Sequence, residues 1–280
     1  MDESELAAKH ARLEGILRSL GRVVVAFSGG VDSSLLLKVA VDTLGTPNVL
    51  AVLGRSPSLP QDGWEWAQRV VGQLGAQLHV LDTNEFSDPH YLANPVDRCY
   101  YCKTSLYRQL GELCAARGFA GIVCGANADD AADFRPGARA GIERLVRAPL
   151  AEAGLTKPEV RELSRKLALP TWSRPASPCL ASRVPYGEPV TPEKLRMIDA
   201  AETFLRELGV EECRVRCHGQ VARVEVPPSH LAHLAEPALA ARIDAHLREL
   251  GFQYVALDLR GFRSGSLNEV VSFEVQHGLG

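Results

Sequence analysis

Short apolar runs of strand length alternate along the chain with longer stretches in which apolar residues recur at helical spacing. The runs are 22-RVVVAF-27, 48-NVLAVL-53, 77-QLHVLD-82 and 119-FAGIVCG-125, and helical patterns occupy 32–44, 60–75 and 103–117 between them. Strands that return after a helix-length crossover are parallel, and runs with few polar interruptions are buried on both faces. The pattern predicts an α/β fold, a doubly wound and mostly parallel sheet with helices on both sides. Ligands of such sheets bind beyond the carboxyl ends of the strands, so the loops starting near Ser28, Gly54, Thr83 and Ala126 should gather on one edge.

After a helical stretch at 156–169 the pattern changes. Prolines at 170, 175, 178, 185, 189 and 192 keep long helices and central strands out of 170–192. Beyond them lie a helix (193–208), two strands around His218-Gly219 (213–217 and 221–226), a helix (229–249) and a strand (253–259). A larger domain over 1–186 and a smaller α/β domain over 187–280 are expected, with the Pro-rich loop at their junction.

Composition narrows the class of function. A chain of 280 residues with 46% hydrophobic residues supports a sizeable core, and no stretch approaches the ~20 uninterrupted apolar residues of a membrane span. The expected location is the cytoplasm. A formal charge of −3, with acids and bases interspersed, lacks the broad basic face of a protein that grips a nucleic-acid backbone. Seven cysteines are an odd number and do not read as a secreted disulfide framework, so reduced thiols are expected.

The chemistry concentrates in a few places. The first strand runs straight into 28-SGGVDSS-34 and a helix. Gly29 and Gly30 allow a tight turn that brings N–H groups to an anion, and Ser28, Ser33 and Ser34 add hydroxyls at a helix N-terminus. It is neither GxxxxGK[ST] nor GxGxxG. A glycine turn with serine caps is the plainer reading, but capping does not explain three hydroxyls together with Asp32. Next comes 97-DRCYYCK-103, whose Cys99 and Cys102 precede a helical pattern on the expected active edge. Two thiols so spaced suit a metal, an iron–sulfur cluster or a dithiol couple, and equally a helix cap with incidental thiols or zinc with His90. Cys179, in 173-SRPASPCLASR-183, offers a third sulfur, and the flanking Arg174 and Arg183 favour its thiolate. Cys114 and Cys124 read as core packing. In 214-RVR-216, Arg214 and Arg216 share a strand face and suit a phosphate or carboxylate, unless that face is simply solvated. His218, His230 and His233 receive no role.

The loop SGGVDSS resembles the pyrophosphate loop of the ATP-pyrophosphatase (PP-loop) superfamily. Taken in order, SGGVDSS, 57-PSLP-60, 94-NPVDRCYYCK-103, 125-GANADDAADFRPG-137, 175-PASPCLASRVPYG-187 and 260-RGFRSGSLNE-269 resemble the LarE family, the ATP-dependent sulfur transferases of nickel-pincer nucleotide synthesis. The resemblance spans nearly the whole chain. It implies that ATP, with Mg²⁺ placed by Asp32, adenylates a carboxylate of pyridinium-3,5-biscarboxylic acid mononucleotide, and that sulfur then displaces AMP to give a thiocarboxylate. It assigns phosphate binding to Ser28, Gly29, Gly30, Ser33 and Ser34, and the nucleotide site to Gly125, Asn127 and Asp129, with Asp130 and Arg135 bracing that loop. The substrate pocket is matched by Arg183, Glu202, Arg214, Arg216 and Glu225. In some members the cysteine at position 179 is the sulfur donor and ends as dehydroalanine; others hold a [4Fe-4S] cluster on cysteines matching Cys99, Cys102 and Cys179. This chain has all three, which favours the cluster version. A homo-oligomer and a downstream nickel-inserting enzyme are also implied. A tRNA thiolase would share the loop and the thiols, but the near-neutral charge argues against a tRNA partner. A non-catalytic nucleotide sensor would need the loop without Asp32 or the thiols.

Overall fold

Val23–Phe27 carries no polar side chain, and all but one of its residues are buried, as expected of the central strand of a sheet covered on both faces. The computed structural model describes residues 2–132, 136–263 and 266–267. The chain divides into two compact units, Met1–Glu85 with Asp97–Ser177, and Phe86–Val96 with Pro178–Gly280.

In chain order the first unit comprises α1 (Glu3–Leu20), β1 (Val23–Phe27), α2 (Val31–Leu44), β2 (Val49–Arg55), α3 (Gln61–Leu74) and β3 (Gln77–Asp82). A short helix, α4 (Pro89–Leu92), goes with the second unit, and the first resumes with α5 (Arg98–Arg117), β4 (Gly121–Cys124), α6 (Pro136–Glu143), α7 (Pro149–Glu152) and α8 (Lys157–Lys166). The strands pair in parallel in the order β3-β2-β1-β4. Alternate residues serve opposite faces. Val23, Val25 and Phe27 pack with Leu13 and Leu17 of α1, Leu36 and Ala40 of α2, and Val70 of α3, while Val24, Leu50 and Val52 pack with Tyr107 and Leu110 of α5. At about 25 cal/mol per Å² of apolar surface, each large side chain buried there contributes about 1.5–3 kcal/mol. The strand order reverses direction between β1 and β4, and that switch point is where the loops after these two strands meet.

The second unit contains α9 (Pro192–Glu207), β5 (Arg214–His218), β6 (Val221–Glu225), α10 (Pro228–Leu234), α11 (Pro237–Glu249) and β7 (Tyr254–Leu257). β5 and β6 form an antiparallel hairpin whose turn uses Gly219 at φ +56°, and β7 joins β6 in parallel. Leu195, Ile198 and Leu205 of α9, Val215 of β5, Val224 of β6 and Leu247 of α11 are among its buried residues.

Four features depart from the sequence expectation. α1 was not foreseen, because charge at short intervals masks Leu6, Leu13 and Leu17, which are its buried residues. The helix expected over 229–249 is two helices, since the ring of Pro237 cannot continue the first and instead starts the second. The units part between Ser177 and Pro178, not at 186/187. Finally, Phe86–Val96 belongs with the second unit, and Asn94 shows why. Fully buried at φ +54°, its side-chain amide donates to the carbonyls of Val184 (3.3 Å), Pro185 (2.7 Å) and Glu188 (3.0 Å). Gly187 N–H and Val190 N–H return bonds to Asn94 and Leu92. The Pro-rich stretch is thus folded by a distant asparagine. No described helix is long and apolar enough to cross a membrane.

Candidate active site

The loop after β1 is built as an anion cradle. Gly29 takes φ +73°, and a Cβ there would lie 3.2 Å from Ala67 of α3, so both the conformation and the space require glycine. Gly30 is the N-cap of α2 and supplies no side-chain cap. The loop's hydroxyls cross-link it: Ser33 Oγ donates to Gly30 O (3.2 Å), accepts from Ser28 N (3.3 Å) and lies 3.2 Å from Ser28 Oγ. Ser34 differs. It is wholly buried, and its Oγ has no hydrogen-bond partner. An orphan hydroxyl in the first turn of a helix without a side-chain cap is an unsatisfied donor where helix termini favour anions.

Across the switch point the loop after β4 meets this cradle. A Cβ at Gly125 would stand 2.8 Å from Ser33 N and 3.0 Å from the Asp32 carbonyl carbon, so only glycine lets the two backbones approach. Asn127, buried, donates from Nδ2 to Asp32 Oδ1 (3.0 Å), accepts from Asp129 N (3.0 Å), and its own N–H bonds Asp130 Oδ2 (3.0 Å). Asp129 in turn accepts from Lys157 N (2.7 Å), and the Lys157 ammonium contacts the other oxygen of Asp32. Ser28, Gly29, Gly30, Asp32, Ser33, Ser34, Gly125, Asn127 and Asp129 are therefore one constellation. Asp130 braces its loop; Arg135 lies outside the described residues, as do Asn268 and Glu269 of the last sequence motif.

Lys157 is the residue that sequence reasoning missed. It was visible only as part of a helix start, the capping box Thr156–Glu159 with Pro158. A signal existed nonetheless, because a lysine in the first turn opposes the helix dipole and so calls for a carboxylate partner or an anionic ligand.

Cys99 and Cys102 do not precede α5 but lie within its opening turns, where Tyr100 and Tyr101 hid the helical period. Cys99 is exposed and Cys102 half-buried. One turn on, Lys103 stands with its ammonium 5.7 Å from the centre of the Tyr107 ring. Tyr107 first, then Cys102, Cys124 and Cys99, hold that lysine above the ordinary range against the opposing cost of burial. Cys114 is core, as expected, but Cys124 ends β4 half-buried and hydrogen-bonded with Tyr107, in a polar group and not in plain core.

Cys179 belongs to the second unit and is exposed, at the start of a single 3-10 turn, Leu180–Arg183. The two arginines near it in sequence have other partners. Arg174, in the first unit, pairs with Asp62 (3.4 Å) and lies over the Trp66 ring. Arg183 is 1% exposed and makes a two-pronged pair with Glu202, at 2.9 Å from both Nε and Nη2. Glu202 also accepts from Val215 N (3.0 Å). Arg216 forms a second such pair with the fully buried Glu225 (3.1 and 3.0 Å), and Arg223 adds a third contact to that carboxylate (2.9 Å). Arg214 donates to Cys213 O (2.6 Å) and lies over Phe262; burial, then the neighbouring Arg183 charge, lower its pKa. The five expected substrate residues thus gather in one unit as a charged, buried frame.

Among the described residues no cysteine is in a disulfide, and no group of three or more His, Cys, Asp or Glu is arranged to hold a metal ion.

Comparisons with known proteins bear on this site. Residues 9–91, which include the cradle, match the family model described as NAD synthase. Over 95% of its length the chain is 43% identical to the uncharacterized protein slr1717 of Synechocystis sp., covering 99% of that protein. Over the same share it is 39% identical to the pyridinium-3,5-bisthiocarboxylic acid mononucleotide synthase of Lactiplantibacillus plantarum, covering 96% of it. A shorter match, 36% identical over 30% of the chain, is to an NH(3)-dependent NAD(+) synthetase of Methanopyrus kandleri.

Proposed function

The chain belongs to the LarE family of PP-loop enzymes, and on that premise we propose that it is an ATP-dependent sulfur transferase that turns a ring carboxylate of pyridinium-3,5-biscarboxylic acid mononucleotide into a thiocarboxylate. The observation that carries the reading is the cradle with its buried, unpartnered Ser34 hydroxyl and its Asp32–Lys157–Asn127 group.

A carboxylate oxygen attacks the α-phosphorus of ATP, the bond to the β-phosphate breaks, and pyrophosphate leaves with the electron pair. Two anions must meet for this, so oriented donors carry most of the catalysis. Ser28, Ser33, Ser34 and the first amides of α2 would hold the departing pyrophosphate. Lys157 would trade Asp32 for a phosphate oxygen, freeing the Asp32 carboxylate, a hard oxygen donor suited to Mg²⁺. That ion would offset charge on the transferred nucleotide. In the resulting acyl-adenylate AMP is the leaving group, and a sulfur nucleophile displaces it.

Cys99, Cys102 and Cys179, none of them in a disulfide, would be the ligands of a [4Fe-4S] cluster with one iron open, and such a cluster, when bound, supplies inorganic sulfide and spares the protein's own sulfur. Whichever sulfur is used, Cys179 is the residue expected at the point of transfer. Assembly into a homo-oligomer and hand-over to a nickel-inserting enzyme belong to the same proposal.

Purified protein given ATP, Mg²⁺ and the biscarboxylic mononucleotide should release AMP and pyrophosphate in step with nucleotide. Turnover only with bulk tRNA, or none with either acceptor, would overturn the reading. Iron analysis and intact mass after turnover decide the sulfur source: iron with Cys179 intact supports the cluster, and a chain lighter by one H₂S without iron refutes it.

A further inference from the structure

We infer that Arg183 is a positioning residue for the sulfur site, fixing the backbone on both sides of Cys179, and is not a group that touches substrate. The inference rests on the proposed role of Cys179.

Its geometry lies within one unit. The guanidinium edge formed by Nε and Nη2 is taken by Glu202. The remaining Nη1 faces the chain around the thiol, donating to Pro178 O (2.7 Å), Cys179 O (3.1 Å) and Ser182 Oγ (3.0 Å). These carbonyls bracket the Cys179 Cα. The Cys179 carbonyl also accepts from Ser182 N (3.0 Å), closing the turn. From the far side Arg216 Nη1 donates to Ser182 O (2.7 Å). Leu180 and Ala181 are buried as anchors, 1% and 0% exposed, while Cys179 itself is exposed. Glu202 holds β5 through Val215 N, so Arg183 ties the turn to the sheet by way of Glu202, beside the direct tie from Arg216.

This leaves Cys179 with little freedom beyond rotation about its own Cα–Cβ bond. Such fixation matters because a sulfur misplaced by about 1 Å from its reacting partner loses about 100-fold in rate. A substrate contact would need an accessible N–H, but Nη1 already serves three acceptors, Nε and Nη2 face Glu202, and the side chain is sealed from solvent. Lysine at this position would keep the charge beside Glu202 but lose the planar fork that serves Glu202 and the carbonyls together.

The test compares wild type with Arg183→Lys and, should that variant fail to fold, with the milder Ser182→Ala, which removes one acceptor of Nη1 and should shift each readout the same way by less. In cofactor-free protein, hydrogen exchange at the Ser182 and Val184 amides should quicken about tenfold while that of β5 and β6 stays unchanged. In turnover, kcat for thiocarboxylate formation should fall about 100-fold with KM for the mononucleotide unmoved. A rise in KM at constant kcat would make Arg183 a substrate contact and overturn the inference. So would equal acceleration of exchange across the whole unit, or no change in either readout. If wild type itself fails to turn over, the sulfur-transfer reading fails, and the exchange contrast still decides whether Arg183 holds the turn.

Discussion

The phosphate cradle of the first unit and the arginine–carboxylate frame of the second are both rich in polar side chains, yet one is open and the other closed. In the cradle, Ser34 is buried with nothing to bond, and Asp32 is held by a lysine that is partly exposed to solvent. In the frame, Glu202 and Glu225 each receive a two-pronged guanidinium and further donors, in full burial. Breaking such a pair strands a buried charge, which is why a closed frame resists change. The contrast teaches that ligand capacity is read from unsatisfied groups, whereas a density of charge alone can be scaffold.

Substitutions should therefore separate stability from activity according to region. The largest effect is expected from Glu225→Ala, which leaves Arg216 buried without its carboxylate and should cost about 3–5 kcal/mol in denaturant unfolding. Asp32→Asn should unfold much as wild type does but release pyrophosphate about 100-fold more slowly, a difference of about 2.7 kcal/mol in the barrier. Ser34→Ala sharpens the comparison further. Its hydroxyl has no partner to lose, so the melting temperature should hold or rise, while KM for ATP increases about tenfold as one bond to a charged phosphate disappears. An equal loss of stability in all three variants would erase the distinction between cradle and frame.

The smallest effect concerns a thiol that takes no part in the chemistry. Burial pushes Cys213 from its ordinary 9.0 up to about 12. Below pH 9 it is neutral in folded and unfolded chains alike. Between 9 and about 12 the unfolded chain ionises first, so stability should fall as pH rises through that window. Cys213→Ala should flatten that slope in an alkaline unfolding series.

Much of this was legible before any coordinates. β1 to β4, the crossover helices and the cradle announce themselves, because a doubly covered sheet needs uninterrupted apolar strands and a phosphate loop needs small residues at a strand's end. The residues that escaped are those whose meaning lies in a distant partner. Lys157 is an ordinary helix-start lysine until Asp32 is seen beside it. Asn94 is unremarkable until three carbonyls from 184–188 close on it. Arg183 was visible as a charge beside Cys179 and, by resemblance, as a substrate residue, while the carbonyls it serves belong to the backbone, which sequence does not display.

The central claim is that this protein activates a carboxylate by adenylation, and the fate of one oxygen tests it most directly. With heavy oxygen in the ring carboxylates of the mononucleotide, a single turnover should yield AMP carrying one heavy oxygen, unlabelled pyrophosphate, and a product in which sulfur stands for the oxygen lost. AMP without the label, or ADP and phosphate in its place, would contradict the account.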